Sequence, residues 1–145
     1  MCISFILFCK LYPMTKVVET LNSKLSFYGA IHAALAVMLG AFGAHGLEER
    51  LTADMLAVYE TGVRYHMYHA LGMILAGILL SREENRKLRL GGQLMHIGIF
   101  LFSGSLYVLV LSDNTKLGMI TPLGGVLFIA GWALIAAAVW PAKQR

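Results

Sequence analysis

The chain has 145 residues, of which 58% are hydrophobic and 14% are charged, and its formal net charge is +4. A soluble domain of this size carries about 25% charged residues and still exposes much of its surface. The composition therefore excludes an ordinary soluble domain and favours a chain that lies in a membrane. Nucleic acid is not expected as a partner, because no basic stripe with interleaved aromatic residues occurs in the sequence.

The first 24 residues are predicted to form a cytoplasmic N-terminal segment. Its beginning, MCISFILFCKLYP, has no basic residue before the apolar run and no small-residue cleavage site, unlike a signal peptide. Met14 begins MTK, which fits a start of translation, so residues 1–13 are interpreted as an overcalled extension. Both cysteines lie there, and the rest of the chain holds no disulfide or CxxC site.

Four stretches lack Asp, Glu, Lys and Arg. They are Leu25–Leu47, Tyr65–Ser81, Leu90–Ser112 and Leu117–Ala142, with lengths of 23, 17, 23 and 26 residues. A membrane-spanning helix needs about 20 apolar residues, within a range of roughly 17–25. The predicted fold class is an all-α integral membrane protein. Its single domain, residues 25–142, is an up-down bundle of four transmembrane helices, followed by a cytoplasmic tail at 143–145.

The segment between the first two spans, LEERLTADMLAVYETG, mixes charged and apolar residues at helical spacing. This pattern predicts a short amphipathic helix on the outer surface over residues 47–62, broken near Gly62. Tyr59, Tyr65 and Tyr68 follow near the entry of the second span. They are predicted to be anchors at the membrane interface, where tyrosine is enriched.

The distribution of Lys and Arg predicts the orientation. One side of the membrane would hold both termini and the loop SREENRKLRL, with Lys10, Lys16, Lys24, Arg82, Arg86, Lys87, Arg89, Lys143 and Arg145. The other side would hold Arg50, Arg64 and Lys116. Because short cytoplasmic loops carry the excess of Lys and Arg, both termini are predicted to be cytoplasmic, in the cell inner (plasma) membrane.

The stretch GAFGAHGL, Gly40 to Leu47, is not a phosphate-binding loop, because its glycines have the wrong spacing and no Lys-Ser/Thr follows. Small residues instead recur at steps of four and three along one helix face. They are Gly29, Ala33, Ala36, Gly40 and Gly43. Small residues let membrane helices approach closely, so this packing motif is predicted to contact a neighbouring helix.

Histidines are the intramembrane groups with obvious chemistry, and their positions along the spans predict two layers. The outer layer holds His45, His66 and His69, at the end of the first span and the start of the second. The inner layer holds His32, Gln93 and His96, on the first and third spans. His66 and His69 are three residues apart, so they share one helix face.

Several roles remain open for these layers. Either layer would supply hydrogen bonds between helices or interfacial anchors. The outer layer is a candidate site for Zn, Cu or Ni, although no cysteine or intramembrane carboxylate completes it, and His32 and His96 are candidate haem ligands. A proton path is a further role, and the absence of Asp and Glu from the spans argues against it. No metal and no cofactor is assigned.

Four segments, LGAFGAHGL, YHMYHALG, LFSGSLYVLVL and ITPLGGVLFIAGWAL, resemble the recurring segments of the domain of unknown function 423 family. That family comprises small bacterial inner-membrane proteins, and its animal relatives are called transmembrane protein 256. The resemblance runs from about Ser26 to Trp140. It implies a four-helix integral membrane protein and no particular activity. The family pattern often has glutamine in place of His66, which argues against a scheme that requires both His66 and His69.

No catalytic constellation is found, since FSGSLY is not Gly-x-Ser-x-Gly and no base is placed beside Ser103 or Ser105. The leading hypothesis is a multi-pass membrane protein with a structural or accessory role through helix packing. Its expected partners are the lipid bilayer and either a second copy or a larger membrane complex. Two alternatives stay open: a small transporter or channel component whose histidines line a path, and a metal- or haem-binding membrane protein.

Overall fold

The computed structural model describes residues 24–112 and 114–141, which form helices and contain no strand. The helices are α1, Lys24–Leu47; α2, Ala53–Arg82; α3, Arg86–Ser112; and α4, Thr121–Val139, which follows a 3-10 turn at Thr115–Met119. The predicted all-helical fold is confirmed. The predicted extension at residues 1–13 and the tail at 143–145 lie outside the described residues.

Among the described helices, three are long and apolar enough to cross a membrane: α1, α3 and the segment Thr115–Val139 that ends with α4. α2 is not one of them. Arg64, His66 and His69 all lie within it and lower its mean hydropathy. The second membrane span, predicted over Tyr65–Ser81 within α2, therefore stays a prediction.

α2 is one continuous helix of 30 residues, and the separate amphipathic helix predicted over residues 47–62 is wrong. Thr52 caps the helix, since its Oγ1 accepts a hydrogen bond from the backbone N–H of Met55 at 3.3 Å. Gly62 does not break the helix but makes room for a neighbour, because a Cβ added there would lie 3.0 Å from Cε1 of Tyr107 on α3. The glycine thus serves packing between helices.

The packing motif of α1 faces α2. Gly29, Ala36 and Gly43 are buried, and Ala33 and Gly40 are half-buried. A Cβ on Gly29 would lie 2.9 Å from the carbonyl oxygen of Ala70, and one on Gly43 would lie 2.7 Å from the ring of Tyr59. Because Gly29 meets the later part of α2 and Gly43 meets the earlier part, the two helices are antiparallel.

α3 and α4 are also antiparallel and pack through glycines. A Cβ on Gly91 of α3 would lie 2.9 Å from the carbonyl oxygen of Gly131. Farther along, residues Phe100–Gly104 form a π-helical turn within α3. A Cβ on Gly124 would lie 2.5 Å from the backbone nitrogen of Phe102, so α4 contacts this turn backbone to backbone.

The main hydrophobic core lies between α2, α3 and α4. Its buried members are Met73, Ala76, Leu80, Leu88, Met95, Ile99, Phe128 and Ile135. The outer faces of α1 and α4 are apolar as well, and Val37 and Ile129 are 61% and 72% exposed. An apolar exterior around a packed apolar interior suits a lipid environment, since lipid can cover surface that water cannot.

Candidate functional site

The polar centre of the bundle is His32, near the middle of α1. Its Nδ1 lies 2.9 Å from Nε2 of His66 on α2, and its Nε2 lies 3.1 Å from Nδ1 of His96 on α3. The side chain of His32 is 6% exposed and that of His66 is 4% exposed. One buried imidazole therefore joins three helices.

Tyr107 extends this arrangement on α3. Its hydroxyl lies 3.2 Å from Nδ1 of His66, so Tyr107, His66, His32 and His96 form one continuous series, here called the imidazole chain. The ring of Tyr107 also lies 5.2 Å from the ring of Tyr59. Tyr59 in turn donates a hydrogen bond to the carbonyl of Leu39 at 3.0 Å.

The hydrogen bonds of the imidazole chain can run in either of two directions. A neutral imidazole has one donor and one acceptor nitrogen. If the Tyr107 hydroxyl donates to His66, then His66 donates to His32, and His32 donates to His96. The N–H without a partner among the described residues is then on Nε2 of His96. In the reverse direction it is the Tyr107 hydroxyl that has no acceptor among the described residues.

The geometry of the imidazole chain does not suit a metal ion shared by its histidines. Metal-bound histidine nitrogens converge on one point at about 2.0–2.1 Å. Here the two nitrogens of His32 point to different partners, and the nitrogens pair with one another at hydrogen-bonding distance. The described residues hold no group of three or more His, Cys, Asp or Glu side chains arranged to bind a metal.

His69 is not part of the imidazole chain. Its Nδ1 donates to the carbonyl oxygen of Tyr65 at 2.7 Å, one turn earlier in α2. Its ring stacks on Phe128 of α4, with centroids 3.3 Å apart and an interplanar angle of 8°. This histidine therefore fixes the contact between α2 and α4.

The two predicted histidine layers are wrong as groups. His32 and His96 do lie together, but His66 joins them rather than His45 or His69. His45 is exposed on the last turn of α1, and Gln93 is exposed on α3. The reason is the length of α2. It begins at Ala53, so His66 lies about 20 Å along the helix and not in its first turns.

A cavity of about 400 Å³ lies beside His96, at one end of the imidazole chain. His96 lines it together with Lys24, Tyr28, Arg89 and Gln93, and its walls include apolar side chains such as Met73. His32 and His66 do not line this cavity.

Sequence reasoning missed two members of the site. Tyr107 lies in the apolar run LFSGSLYVLVL, where its hydroxyl is the available signal. Tyr59 was predicted to be an interfacial anchor, yet it is 1% exposed and bonds to the backbone of α1. Both hydroxyls find their partners on helices distant in sequence.

Comparison with known proteins gives the chain a family. The model of a protein family of unknown function, DUF423, matches residues 39–125. UPF0382 membrane protein YwdK of Bacillus subtilis is 52% identical over 111 residues, which cover 76% of this chain and 90% of that relative.

The chain belongs to the DUF423 family. UPF0382 membrane protein SSP2132 of Staphylococcus saprophyticus is 49% identical over 107 residues, or 74% of this chain and 88% of that relative. The resemblance found in the sequence is thus confirmed, and the chain is a membrane protein. These DUF423 relatives carry names that state no activity. No solved structure matches the chain.

Proposed function

We propose that this DUF423 protein spans the cytoplasmic (inner) membrane four times. α1, α3 and the α4 segment have the length and composition of spans. α2 packs antiparallel to α1 along the packing motif and antiparallel to α3, where Gly62 meets Tyr107 and Gly72 meets Met95. A chain that crosses in α1 and again, in the same direction, in α3 must return through the helix between them.

The distribution of charge supports an orientation with both termini in the cytoplasm. Nine Lys and Arg residues fall on the side of the termini and of the loop between α2 and α3, and three fall on the other side. Arg89, near the start of α3, pairs with Glu84 of that loop through Nη2 and Oε1, and the other basic residues of this face remain in excess.

For the role of the protein we propose a structural or accessory component of the membrane, not an enzyme. Its best-placed serines lack a catalytic base among the described residues. Ser105 bonds to the carbonyl of Phe102 and to Thr121, and Oγ of buried Ser103 has no hydrogen-bond partner there. The observation that carries the proposal is the large apolar exterior of α1 and α4, which suits the lipid bilayer and, over part of its area, a second copy or a larger membrane complex.

Photo-crosslinking in native membranes tests this role. A photoreactive amino acid at Ile129, 72% exposed on α4, is expected to give a discrete protein adduct. The matched control is the preceding position, Phe128, which is 3% exposed and should react within the protein. The mass of the adduct tells a second copy from a different protein. Labelling of lipid alone from Ile129 and from Val37 on α1 would contradict the accessory role.

A further inference from the structure

The cavity beside His96 combines hydrogen-bond donors with an apolar wall. Lys24 of α1 and Arg89 of α3 lie at the same end of the bundle, and both line it. The Nε atom of Arg89 is buried and has no hydrogen-bond partner among the described residues. Gln93 and Tyr28 add polar groups, and no acidic side chain of the described residues lines the cavity. Such a site is complementary to an oxyanion.

The imidazole chain adds a further donor to this cavity. His96 is held through Nδ1 by His32, at 3.1 Å, and that contact is continued to His66 and Tyr107. When Tyr107 is the donor at the far end of the imidazole chain, the N–H of His96 is on Nε2, where a molecule in the cavity would accept its hydrogen bond. In a neutral histidine, the hydrogen bond made by one ring nitrogen determines whether the other nitrogen carries the proton. His32, His66 and Tyr107 therefore act as positioning residues for His96.

We propose that this cavity binds an anionic phospholipid, with the phosphate near Lys24, Arg89 and His96. The apolar wall, which includes Leu25 and Met73, would contact an acyl chain. This inference rests on the proposed orientation, which puts the cavity at the cytoplasmic leaflet, where anionic headgroups lie. Basic pockets between transmembrane helices on that side bind such headgroups. A free anion would use the donors but not the apolar wall.

The proposal accounts for the buried polar series in an otherwise apolar bundle. Hydrogen bonds that merely joined pairs of helices would not need to end in a cavity. The imidazole chain ends in this cavity, and its last member, His96, lines the cavity together with the cationic side chains of Lys24 and Arg89.

Native mass spectrometry of the purified full chain in detergent tests the site. Phosphatidylglycerol is expected to give a discrete one-lipid adduct that phosphatidylcholine does not give, and inorganic phosphate should not compete for it. Arg89→Gln and Lys24→Gln should each lose the adduct. The matched control is Arg86→Gln, which removes a charge from the first turn of α3 but does not line the cavity, and it should retain the adduct.

The positioning role has its own readout in the same experiment. Tyr107→Phe keeps the ring and removes only the hydroxyl, so it should reduce the occupancy of phosphatidylglycerol without changing the amount of folded protein. Equal adducts with both lipids, competition by phosphate, or retention of the adduct in Arg89→Gln would each overturn the proposal. The measurement is made in detergent, so its failure is distinct from a failure of the proposed orientation, which labelling in cells decides.

Discussion

His66 shows how one residue holds the interior of this bundle. Its two ring nitrogens meet His32 on α1 and Tyr107 on α3, so it has a partner on each side. A buried polar group that loses its partner costs about 1–3 kcal/mol. His45, by contrast, is exposed at the end of α1. Histidine therefore contributes more to the free energy of unfolding at position 66 than at position 45.

We expect His66→Ala to lower the free energy of unfolding by about 1–3 kcal/mol, because His32 and Tyr107 would each lose a hydrogen-bond partner. His45→Ala should change it by less than about 0.5 kcal/mol, as exposed substitutions usually do. Thermal melts in detergent, with and without a chelator, measure both. If His45→Ala collapsed and chelator treatment of the unmodified protein had the same effect, the stretch GAFGAHGL would be a metal-binding motif instead.

At the scale of elements, the contact between α3 and α4 depends on the π-helical turn Phe100–Gly104. One residue more per turn moves the backbone at Phe102 toward α4, and Gly124 lies directly against it. Ser105, just after the turn, lies 2.8 Å from Thr121 at the start of α4, Oγ to Oγ1. A rare local conformation thus fits a glycine on the facing helix.

Gly124→Ala should destabilise the protein by about 1–3 kcal/mol, because overpacking forces backbone to move. The added Cβ would lie 2.5 Å from the nitrogen of Phe102, and backbone yields less easily than a flexible side chain. Gly125→Ala is the matched control, since its Cβ would lie 3.8 Å from the ring of Phe102. Melting temperatures of the two variants decide the matter, and equal values would refute the close contact.

For the whole molecule, the exterior differs from that of a soluble protein, whereas the interior is apolar as in a soluble protein. Large apolar side chains such as Ile129 and Val37 lie outside, and the interior combines small residues, hydrogen-bonded histidines and large apolar side chains such as Phe128. Close approach at Gly29 and Gly91 replaces the hydrophobic drive that water would provide. Orientation in the membrane then depends on loop charges, which lie outside the packed region.

Single cysteines at Asn85 and Asn114 are expected to lie on opposite sides of the membrane. In a background without Cys2 and Cys9, an impermeant thiol reagent added to intact cells should label position 114 and not position 85. Permeabilised cells, in which both positions should react, are the control. Labelling of position 85 and not of position 114 in intact cells would contradict the proposed topology, and labelling of both would refute the crossing by α3 that separates the two positions.

Much of the fold follows from local patterns in the sequence. Uncharged runs of spanning length predict α1, α3 and α4, since each run must bury its backbone in hydrogen bonds of its own helix. The small residues from Gly29 to Gly43 recur at steps of four and three. They predict a packing face, because residues at this spacing lie on one side of a helix. The charged residues do not mark the start of α2, since Thr52 caps the helix well before the last of them.

By itself, the sequence determined that this is an apolar helical membrane protein of the DUF423 family with a stripe of small residues on α1, because composition and helical period are properties of single segments. Only the tertiary structure decided that His66 joins His32, that Tyr107 joins His66, and that His96 meets a cavity. Those contacts depend on the relative height and rotation of three antiparallel helices. A shift of one turn moves a side chain by about 5.4 Å, so no single segment specifies them.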